Sequence, residues 1–326
     1  MSPKDRRPVV PVLFGPTASG KTALLSRLFG PGGLAVGRAE VVSADSMQVY
    51  RGMDIGTAKP GPAERAELPH HLIDIRDPDE QFNVGDFVRL ATDAVAGILE
   101  RGLLPIVAGG TGFYLRNLVL GLPESPPSDA AVRETLKAEL AEKGSGELMA
   151  ELAGCDPVSA GRIHRNDGYR LMRALEVFRL CGRPLSSFGM RPELPPELPF
   201  RYVAFALCRP KAELYRRIGE RCGEMFERGL PEEVAGLLRS GYGPADPGMR
   251  AIGYREFFVE DEPGSGVFRL SGDLAGVREL VATNSRRYAK RQLTYMASLP
   301  EAVPVDVSGD GEEVAGRLWR EVSSFG

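Results

Sequence analysis

The chain has 326 residues, of which 43% are hydrophobic, so it can bury the core of one large domain and a smaller one. Its 41 basic and 44 acidic residues nearly cancel, which excludes a strong overall attraction to nucleic acid and leaves only local basic surfaces. The apolar run from Val9 to Phe14 is too short for a signal sequence or a membrane span, so we expect a cytoplasmic protein that does not bind membranes. The cysteines, at positions 155, 181, 208 and 222, form no Cys-x-x-Cys pair, which argues against a zinc knuckle and against a disulfide framework.

The first part of the chain alternates predicted strands and helices. Apolar runs predict strands over Val9–Phe14, Glu40–Asp45 and Leu103–Ala108, and each run leads into polar or glycine-rich residues. Helical spacing from Phe87 to Arg101 places a helix between the second and third runs. This order predicts a doubly wound α/β domain with a parallel sheet, whose ligands bind at the carboxyl ends of the strands.

A block of amphipathic helices follows Pro123 and interrupts the α/β pattern. The predicted helices cover Asp129–Lys143, Gly146–Leu152, Pro157–Ile163 and Asp167–Cys181. A proline-rich stretch from Arg191 to Pro199 closes the block, Tyr202–Leu207 resumes a strand, and helices dominate from Lys211 to about Ser298. The predicted domains are therefore residues 1–122 for the first part of the core, 123–198 for an inserted all-helical domain, and 199–326 for the mostly helical second part of the core.

The strongest motif matches the G-x-x-x-x-G-K-[ST] pattern, between a predicted strand and a predicted helix. It consists of Gly15, Pro16, Thr17, Ala18, Ser19, Gly20, Lys21 and Thr22, called the phosphate loop below. Glycines let backbone N–H groups surround phosphate oxygens, and the following helix N-terminus adds positive charge. Lys21 supplies a mobile cation, and the Thr22 hydroxyl is a candidate ligand for Mg²⁺.

The phosphate loop alone does not decide whether the phosphates belong to ATP or to another diphosphate that leaves from carbon. An NTPase usually has an apolar strand ending in an aspartate that helps to hold Mg²⁺. Asp45 follows such a strand, but the chain continues through polar residues to Tyr50 that are suited to reading a heterocycle. The third strand instead ends in Gly109–Gly112, which offers backbone donors.

Two segments carry local positive charge. Residues 162–183 contain six arginines against Asp167 and Glu176, and residues 286–291 contain four basic residues and no acid. Both segments are open to two interpretations, as solvated helix faces or as surfaces for nucleic acid.

Eight ordered sequence blocks resemble the bacterial tRNA dimethylallyltransferases, also called isopentenyl-diphosphate:tRNA transferases. They lie at 15–22, 43–50, 53–60, 69–74, 109–114, 170–177, 252–255 and 288–292. The chain departs mildly from the family pattern at Ala108, at Asn284 and Ser285, and at Tyr295, where members commonly have tryptophan.

The resemblance implies an alkyl transfer from dimethylallyl diphosphate to tRNA. N6 of the adenine next to the anticodon (position 37), in tRNAs that read codons beginning with U, attacks C1 and releases diphosphate in the presence of Mg²⁺. By the same resemblance Asp45 is the catalytic base, and Thr17 and Arg221 act on the diphosphate. Alternatives remain for each: Asp45 as an Mg²⁺ ligand, helix cap or adenine anchor, Thr17 as a structural loop residue, and Arg221 as a surface arginine.

The resemblance also marks positions that contact the anticodon stem-loop of tRNA. They are Asp45, Ser46, Met47, Gln48, Thr111, Arg133, Tyr169, Arg170, Leu171, Met172, Arg173, Arg250, Ala251, Ile252, Gly253, Tyr254 and Arg255. The arginines could equally be ordinary exposed helix residues, and Tyr169 could belong to a core. The expected partners are tRNA and dimethylallyl diphosphate, and we expect a monomer.

Two other functions fit the phosphate loop and the helical insertion. A small-molecule P-loop kinase shares both features, and an NTP-gated RNA-binding module would bind tRNA without modifying it. His70 and His71 could serve in acid–base catalysis, but their apolar neighbours favour a structural role at a turn entering a strand.

Overall fold

The structure is a computed structural model that describes residues 7–123, 125–188, 198–262, 264–299 and 301–324. Residues 191–197 of the predicted proline-rich stretch lie outside the described residues. The strands are β1 (Val9–Phe14), β2 (Ala39–Ala44), β3 (His70–His71), β4 (Leu104–Gly109), β5 (Arg201–Cys208), β6 (Phe258–Glu260), β7 (Phe268–Leu270) and β8 (Val303–Asp306). The helices are α1 (Lys21–Phe29), α2 (Pro62–Glu67), α3 (Val84–Glu100), α4 (Gly112–Leu120), α5 (Ala130–Cys155), α6 (Pro157–Ala160), α7 (Gly168–Cys181), α8 (Lys211–Glu227), α9 (Leu230–Arg239), α10 (Leu274–Ala297) and α11 (Gly311–Ser324).

A six-stranded parallel sheet in the order β3-β2-β4-β1-β5-β8 forms the centre of the larger unit. The four strands predicted from apolar runs are confirmed as β1, β2, β4 and β5. Val107 of β4 is in register with Val12 on one side and with Val42 on the other. Because β4 lies between β2 and β1, the loops that follow these three strands meet at one edge of the sheet.

Both faces of the sheet are covered, as the continuous apolar runs require. On one face Val12 and Phe14 pack with Phe87 of α3 and with residues of α4. On the other face Leu13 packs with Leu28 of α1 and with residues of α11. This alternation along β1 confirms the predicted doubly wound α/β core, and each fully buried leucine or phenylalanine side chain contributes about 1.5–3 kcal/mol to folding.

A third apolar cluster lies beyond the sheet and forms part of the candidate site. It contains Ile218 of α8, Val234 of α9, Val281 of α10 and Tyr254 from the connection between α9 and α10. The polypeptide after β2 contributes Met53 to the same cluster. The cluster therefore fixes α8 and α10 next to the segment that follows β2.

The second compact unit comprises Leu120–Glu197. Its described elements are α5, α6, α7 and a short 3-10 turn at Leu185–Ser187, with a core that includes Leu136, Leu152 and Leu171. Gly144 has non-helical dihedral angles (φ 77°, ψ 168°) within α5, which separates the two helices predicted there. No strand occurs among the described residues of this unit, in keeping with an all-helical insertion.

Several short strands were not predicted. His70 and His71 form β3 themselves, whereas the sequence suggested a turn at this point that leads into a strand. The edge strand β8 contains Pro304, and its short run lacks the signal of a buried strand. The hairpin β6–β7 lies in a region predicted to be helical, and both strands have only three residues. Among the described residues, no helix combines the length and apolar character needed to span a membrane.

Candidate active site

A cavity of about 600 Å³ opens at the edge of the sheet where β1 and β2 end. The phosphate loop, the segment after β2, α8, α10 and the connection between α9 and α10 form its walls. The predicted site residues that line it are Thr17, Ala18, Gly20, Lys21, Thr22, Asp45, Ser46, Met47, Gln48, Arg221, Arg250, Ala251, Ile252 and Arg255. Parts of the chain that are far apart in sequence thus form one site.

Two arginines, one in α8 and one just before it, donate hydrogen bonds to the backbone of the phosphate loop. Arg217 Nε donates to the Ala18 carbonyl at 2.9 Å, and Arg209 Nε donates to the Ser19 carbonyl at 3.4 Å. Ala18 and Gly20 have positive φ angles of 61° and 101°. Glycine adopts this conformation readily, whereas alanine there costs about 1 kcal/mol, so the arginines stabilise a strained turn.

Lys21 begins α1 and projects back toward the start of the phosphate loop. Its Nζ donates to the carbonyls of Gly15 at 2.7 Å and Pro16 at 3.0 Å. Burial and the positive charge of Arg221 lower the pKa of Lys21 to about 8, while the Asp45 carboxylate opposes this shift. The ammonium group therefore lies in an environment that favours an added negative charge.

Gln292 of α10 joins two of the strand-end loops and was missed in the sequence. Its Oε1 accepts from the Thr17 amide at 2.8 Å, and its Nε2 donates to the Gly110 carbonyl at 2.7 Å. The side chain is only 3% exposed, and a Cβ atom at Gly110 would lie 2.3 Å from Nε2. Its place in the block at 288–292 was the available signal, but that block did not indicate which loops it contacts.

Asp45 follows β2 and lines the cavity, where its carboxylate interacts electrostatically with Lys21 and Arg221. Its Oδ1 accepts from the Met47 amide at 2.9 Å, which fixes the turn after the strand. The Thr111 hydroxyl accepts from the Ser46 amide at 3.0 Å, so the loop after β4 supports the same turn. Burial and the negative charge of Asp45 raise the pKa of Tyr288 on α10 to about 12, which keeps its hydroxyl protonated.

Gln48 lies at the far end of this turn and is oriented by three contacts. Ser43 Oγ donates to its Oε1 at 2.9 Å, and its Nε2 lies 3.4 Å from the carbonyl oxygens of Thr57 and Ala58. An amide held in one orientation can distinguish donors from acceptors on a ligand. The prediction of a polar segment that reads a heterocycle fits this arrangement.

The charges that line the cavity favour an anionic ligand. Six basic and three acidic side chains line it, and the basic ones include Lys21 and Arg221. Burial lowers the pKa of the Arg221 guanidinium, and the nearby Asp45 carboxylate opposes this effect. Arginine nevertheless stays charged at physiological pH.

The oxygen donors near the phosphate loop suit Mg²⁺ bound together with a phosphate ligand. The Thr22 hydroxyl and the Asp45 carboxylate both border the cavity, and hard oxygen ligands are those that Mg²⁺ prefers. The described residues contain no group of three or more histidine, cysteine or acidic side chains arranged as a metal site. This donor set therefore fits an ion that takes most of its ligands from water and phosphate.

The predicted tRNA-contacting residues of the helical unit fall into two groups. Tyr169 is 63% exposed, and the Arg133 guanidinium lies 5.0 Å from the centroid of its ring. Arg170 is exposed, and its Nη1 lies 3.1 Å from Asp167 Oδ2. Met172 is partly buried against the core of the unit. These residues leave a basic and aromatic surface, and Tyr169 is not a core residue.

The prediction that Leu171 contacts tRNA does not fit its side chain, whereas the prediction for the partly exposed Arg173 stays a prediction. Leu171 is fully buried in the core of the helical unit and therefore cannot contact a ligand. Arg173 donates to Glu176 at 2.9 Å and to the Pro126 carbonyl at 2.5 Å. Glu176 is fully buried, and its Oε1 also accepts from Ser128 Oγ at 2.6 Å and from the Asp129 amide at 2.9 Å, so Arg173 is one of three groups that stabilise its charge.

A similar correction applies to Tyr254 and Gly253 in the connection between α9 and α10. The Tyr254 side chain is fully buried, and its hydroxyl donates to Glu233 Oε1 at 2.6 Å. Gly253, which has no side chain, has a φ angle of 97° and is also buried, so neither residue is accessible to tRNA. Their neighbours at 250–252 and 255 are the ones that reach the cavity.

The two histidines have structural contacts. His71 Nε2 lies 2.6 Å from Glu40 Oε2, which also accepts from Arg101 at 2.6 Å. His70 Nδ1 lies 2.6 Å from the Leu68 carbonyl oxygen. These contacts support the structural role favoured by the sequence.

Comparisons with known proteins identify one family for this chain. The family model described as IPP transferase matches residues 48–298. A tRNA dimethylallyltransferase from Geobacter sulfurreducens is 45% identical to this chain over 291 residues, and the match covers 89% of each chain. The tRNA dimethylallyltransferase 1 from Syntrophotalea carbinolica is 46% identical to it, and the match covers 95% of each chain.

Solved structures give the same result. The tRNA isopentenylpyrophosphate transferase from Bacillus halodurans is 34% identical, with a TM-score of 0.64 over 98% of both chains. A eukaryotic dimethylallyltransferase, whose structures describe it acting on tRNA, is 25% identical with a TM-score of 0.75 over 97% of this chain and 78% of that one. The chain therefore belongs to the IPP transferase family.

Proposed function

We propose that the chain transfers a dimethylallyl group from dimethylallyl diphosphate to N6 of the adenine next to the anticodon in tRNAs that read codons beginning with U. The observation that carries this proposal is the position of Asp45. Its carboxylate borders the same cavity as Lys21, Arg221 and the phosphate loop, and it interacts electrostatically with both cations. A proton acceptor next to an anion site is what alkylation of an amine by a diphosphate ester requires.

The leaving group binds in the phosphate loop under this proposal. Lys21, Arg221 and the first-turn N–H groups of α1 stabilise the negative charge that develops as the C1–O bond breaks. The Thr22 hydroxyl would hold a Mg²⁺ ion at this site, and the positive charge of that ion would further stabilise the leaving diphosphate. The Thr17 hydroxyl borders the same space and donates to the diphosphate.

The adenine approaches C1 from the side of Asp45 and Gln48. The N6 lone pair forms the new bond to C1, the C1–O electron pair leaves with the diphosphate, and an N6 proton passes to the Asp45 carboxylate. Gln48 holds the purine by its oriented amide, and Ser46, Met47 and Thr111 support the turn that carries Asp45. An adenine in an anticodon loop must leave its stack to reach such a cavity.

Basic residues on both units anchor the tRNA backbone. Arg250 and Arg255 border the cavity, and Arg133, Tyr169 and Arg170 form the exposed surface of the helical unit. Phosphate contacts of this kind give affinity despite the balanced charge of the whole chain. The proposal includes a monomer that works in the cytoplasm, where tRNA is found, and light scattering of the pure protein tests the monomer.

The decisive experiment incubates the protein with dimethylallyl diphosphate, Mg²⁺ and unmodified tRNA, followed by mass spectrometry of the nucleosides. We expect one adenosine per tRNA to gain an isopentenyl unit. An unchanged nucleoside mass together with ATP hydrolysis would favour the kinase instead, and tRNA binding without either change would favour the RNA-binding module. The comparisons give no support to the small-molecule kinase.

A further inference from the structure

Glu233, on the first turn of α9, joins two segments that form walls of the cavity. Its Oε2 accepts from the amides of Asp54 at 3.0 Å and Ile55 at 2.8 Å. Its Oε1 accepts from the Gly56 amide at 3.2 Å and from the Tyr254 hydroxyl at 2.6 Å. One carboxylate therefore holds the backbone of residues 54–56 and the side chain of Tyr254 together.

The two joined segments are also in tight contact. A Cβ atom at Gly56 would lie 2.4 Å from the Tyr254 ring, so only glycine fits there without a shift. Gly253 approaches Gly56 from the same segment, and a Cβ atom placed on it would lie 3.5 Å from the Gly56 carbonyl oxygen. The hydrogen bonds and this packing fix one segment relative to the other.

Both segments continue directly into the cavity. Residues 56–58 line it after the contact with Glu233, and residues 250–252 and 255 line it on either side of Tyr254. Neither Glu233 nor Tyr254 borders the cavity. The carbonyl oxygens of Thr57 and Ala58 in turn lie 3.4 Å from the Gln48 amide nitrogen, so the wall is connected to the residue that orients the adenine in the proposed function.

The chemistry of this junction requires a carboxylate. An ionised glutamate offers only acceptors, and all four partners of Glu233 are donors. A glutamine would turn an NH₂ group toward backbone N–H groups and leave at least one donor unpaired. Burial and the charge of Glu233 raise the pKa of Tyr254 well above its usual value, so the tyrosine remains a donor.

We infer that Glu233 is a positioning residue that, through residues 54–58, sets the orientation of Gln48 and thereby the placement of the adenine. This inference rests on the proposed function. Two parts of the site are held by different residues. Glu233 holds the backbone of residues 54–56, whereas Gln292, Arg209 and Arg217 hold the phosphate loop. Loss of the Glu233 carboxylate should therefore impair the use of tRNA and leave the diphosphate site intact.

The test compares Glu233→Gln with Glu232→Gln, an exposed glutamate on the same helical turn. For Glu233→Gln we expect kcat/KM for tRNA to fall about 10-fold or more, while the Kd for dimethylallyl diphosphate, measured by calorimetry, stays within about 2-fold of the wild type. Tyr254→Phe removes one of the four bonds and should give a smaller loss in the same direction. Glu232→Gln should match the wild type in both measurements.

Hydrogen exchange provides a readout that does not depend on activity. The amides of residues 54–56 should exchange about 10-fold faster in Glu233→Gln, and those of the phosphate loop should not change. Unchanged exchange at 54–56, or wild-type kinetics on tRNA, would overturn the inference. Equal losses in tRNA turnover and in diphosphate affinity would also overturn it, because they would indicate a general structural role. If the wild type transfers no dimethylallyl group while exchange at 54–56 still responds to the substitution, the proposed function fails and the structural junction remains.

Discussion

The lowered pKa of Lys21 predicts that binding of a diphosphate weakens with rising pH in the range just above neutrality. With a pKa of about 8, Lys21 is about 90% charged at pH 7 and about 10% charged at pH 9. A bound anion favours the ammonium form, so proton uptake is linked to binding. If only the charged form binds, the Kd for dimethylallyl diphosphate should rise about 10-fold between pH 7 and pH 9.

Calorimetry in buffers of different ionisation enthalpy measures both the Kd and the protons taken up. Lys21→Arg is the matched control, because arginine stays charged over this range, and its Kd should not change with pH whatever its absolute value. A Kd of the wild type that is constant from pH 7 to pH 9 would contradict the environment described for Lys21. A Kd of Lys21→Arg that rises with pH as steeply as that of the wild type would also contradict it.

Three further predictions concern single contacts. Asp45→Asn should lower kcat about 100-fold or more in the mass assay with little change in tRNA affinity, and near-normal turnover would assign the base elsewhere. Gln292→Leu removes the bonds to Thr17 and Gly110 and should weaken diphosphate binding about 10-fold by calorimetry, so an unchanged Kd would exclude its role in the phosphate loop. Arg173→Met removes the ion pair of the buried Glu176, which keeps its hydrogen bonds from Ser128 and Asp129, and should lower the free energy of unfolding in urea by about 3 kcal/mol. The exposed Arg170→Met should lower it by under about 0.5 kcal/mol, and equal effects would refute a stabilising buried pair.

The parts of the fold that the sequence predicted are those that local patterns specify. The strands β1, β2, β4 and β5 are apolar runs bounded by polar or glycine residues, and α7 begins at an Asp167 cap that accepts from the Arg170 amide at 3.1 Å. The strands β3 and β8 have two and four residues. They pair because the sheet is already in place beside them, and such tertiary effects leave little trace in local sequence.

In the candidate site too, the residues that could be predicted are those with a local sequence signal, and those that depend on tertiary contacts could not. The phosphate loop and Asp45 follow from a motif and from the ends of parallel strands, both of which are local in sequence. Gln292 contacts the Thr17 amide across 275 positions of sequence, and a buried glutamine in a helix carries no local signal for such a partner. Tyr254 and Leu171 fell within blocks typical of the family, and the structure assigns them to packing because burial cannot be read from a block alone.

The long-range contact of Gln292 has a consequence for synthesis of the protein. A ribosome synthesises Thr17 of the phosphate loop 275 positions before Gln292, so the Thr17 amide receives its partner only after α10 has emerged. The neighbouring strand β5 also comes after the whole helical unit. Contacts so distant in sequence slow folding, so nascent chains should gain their affinity for diphosphate late in translation.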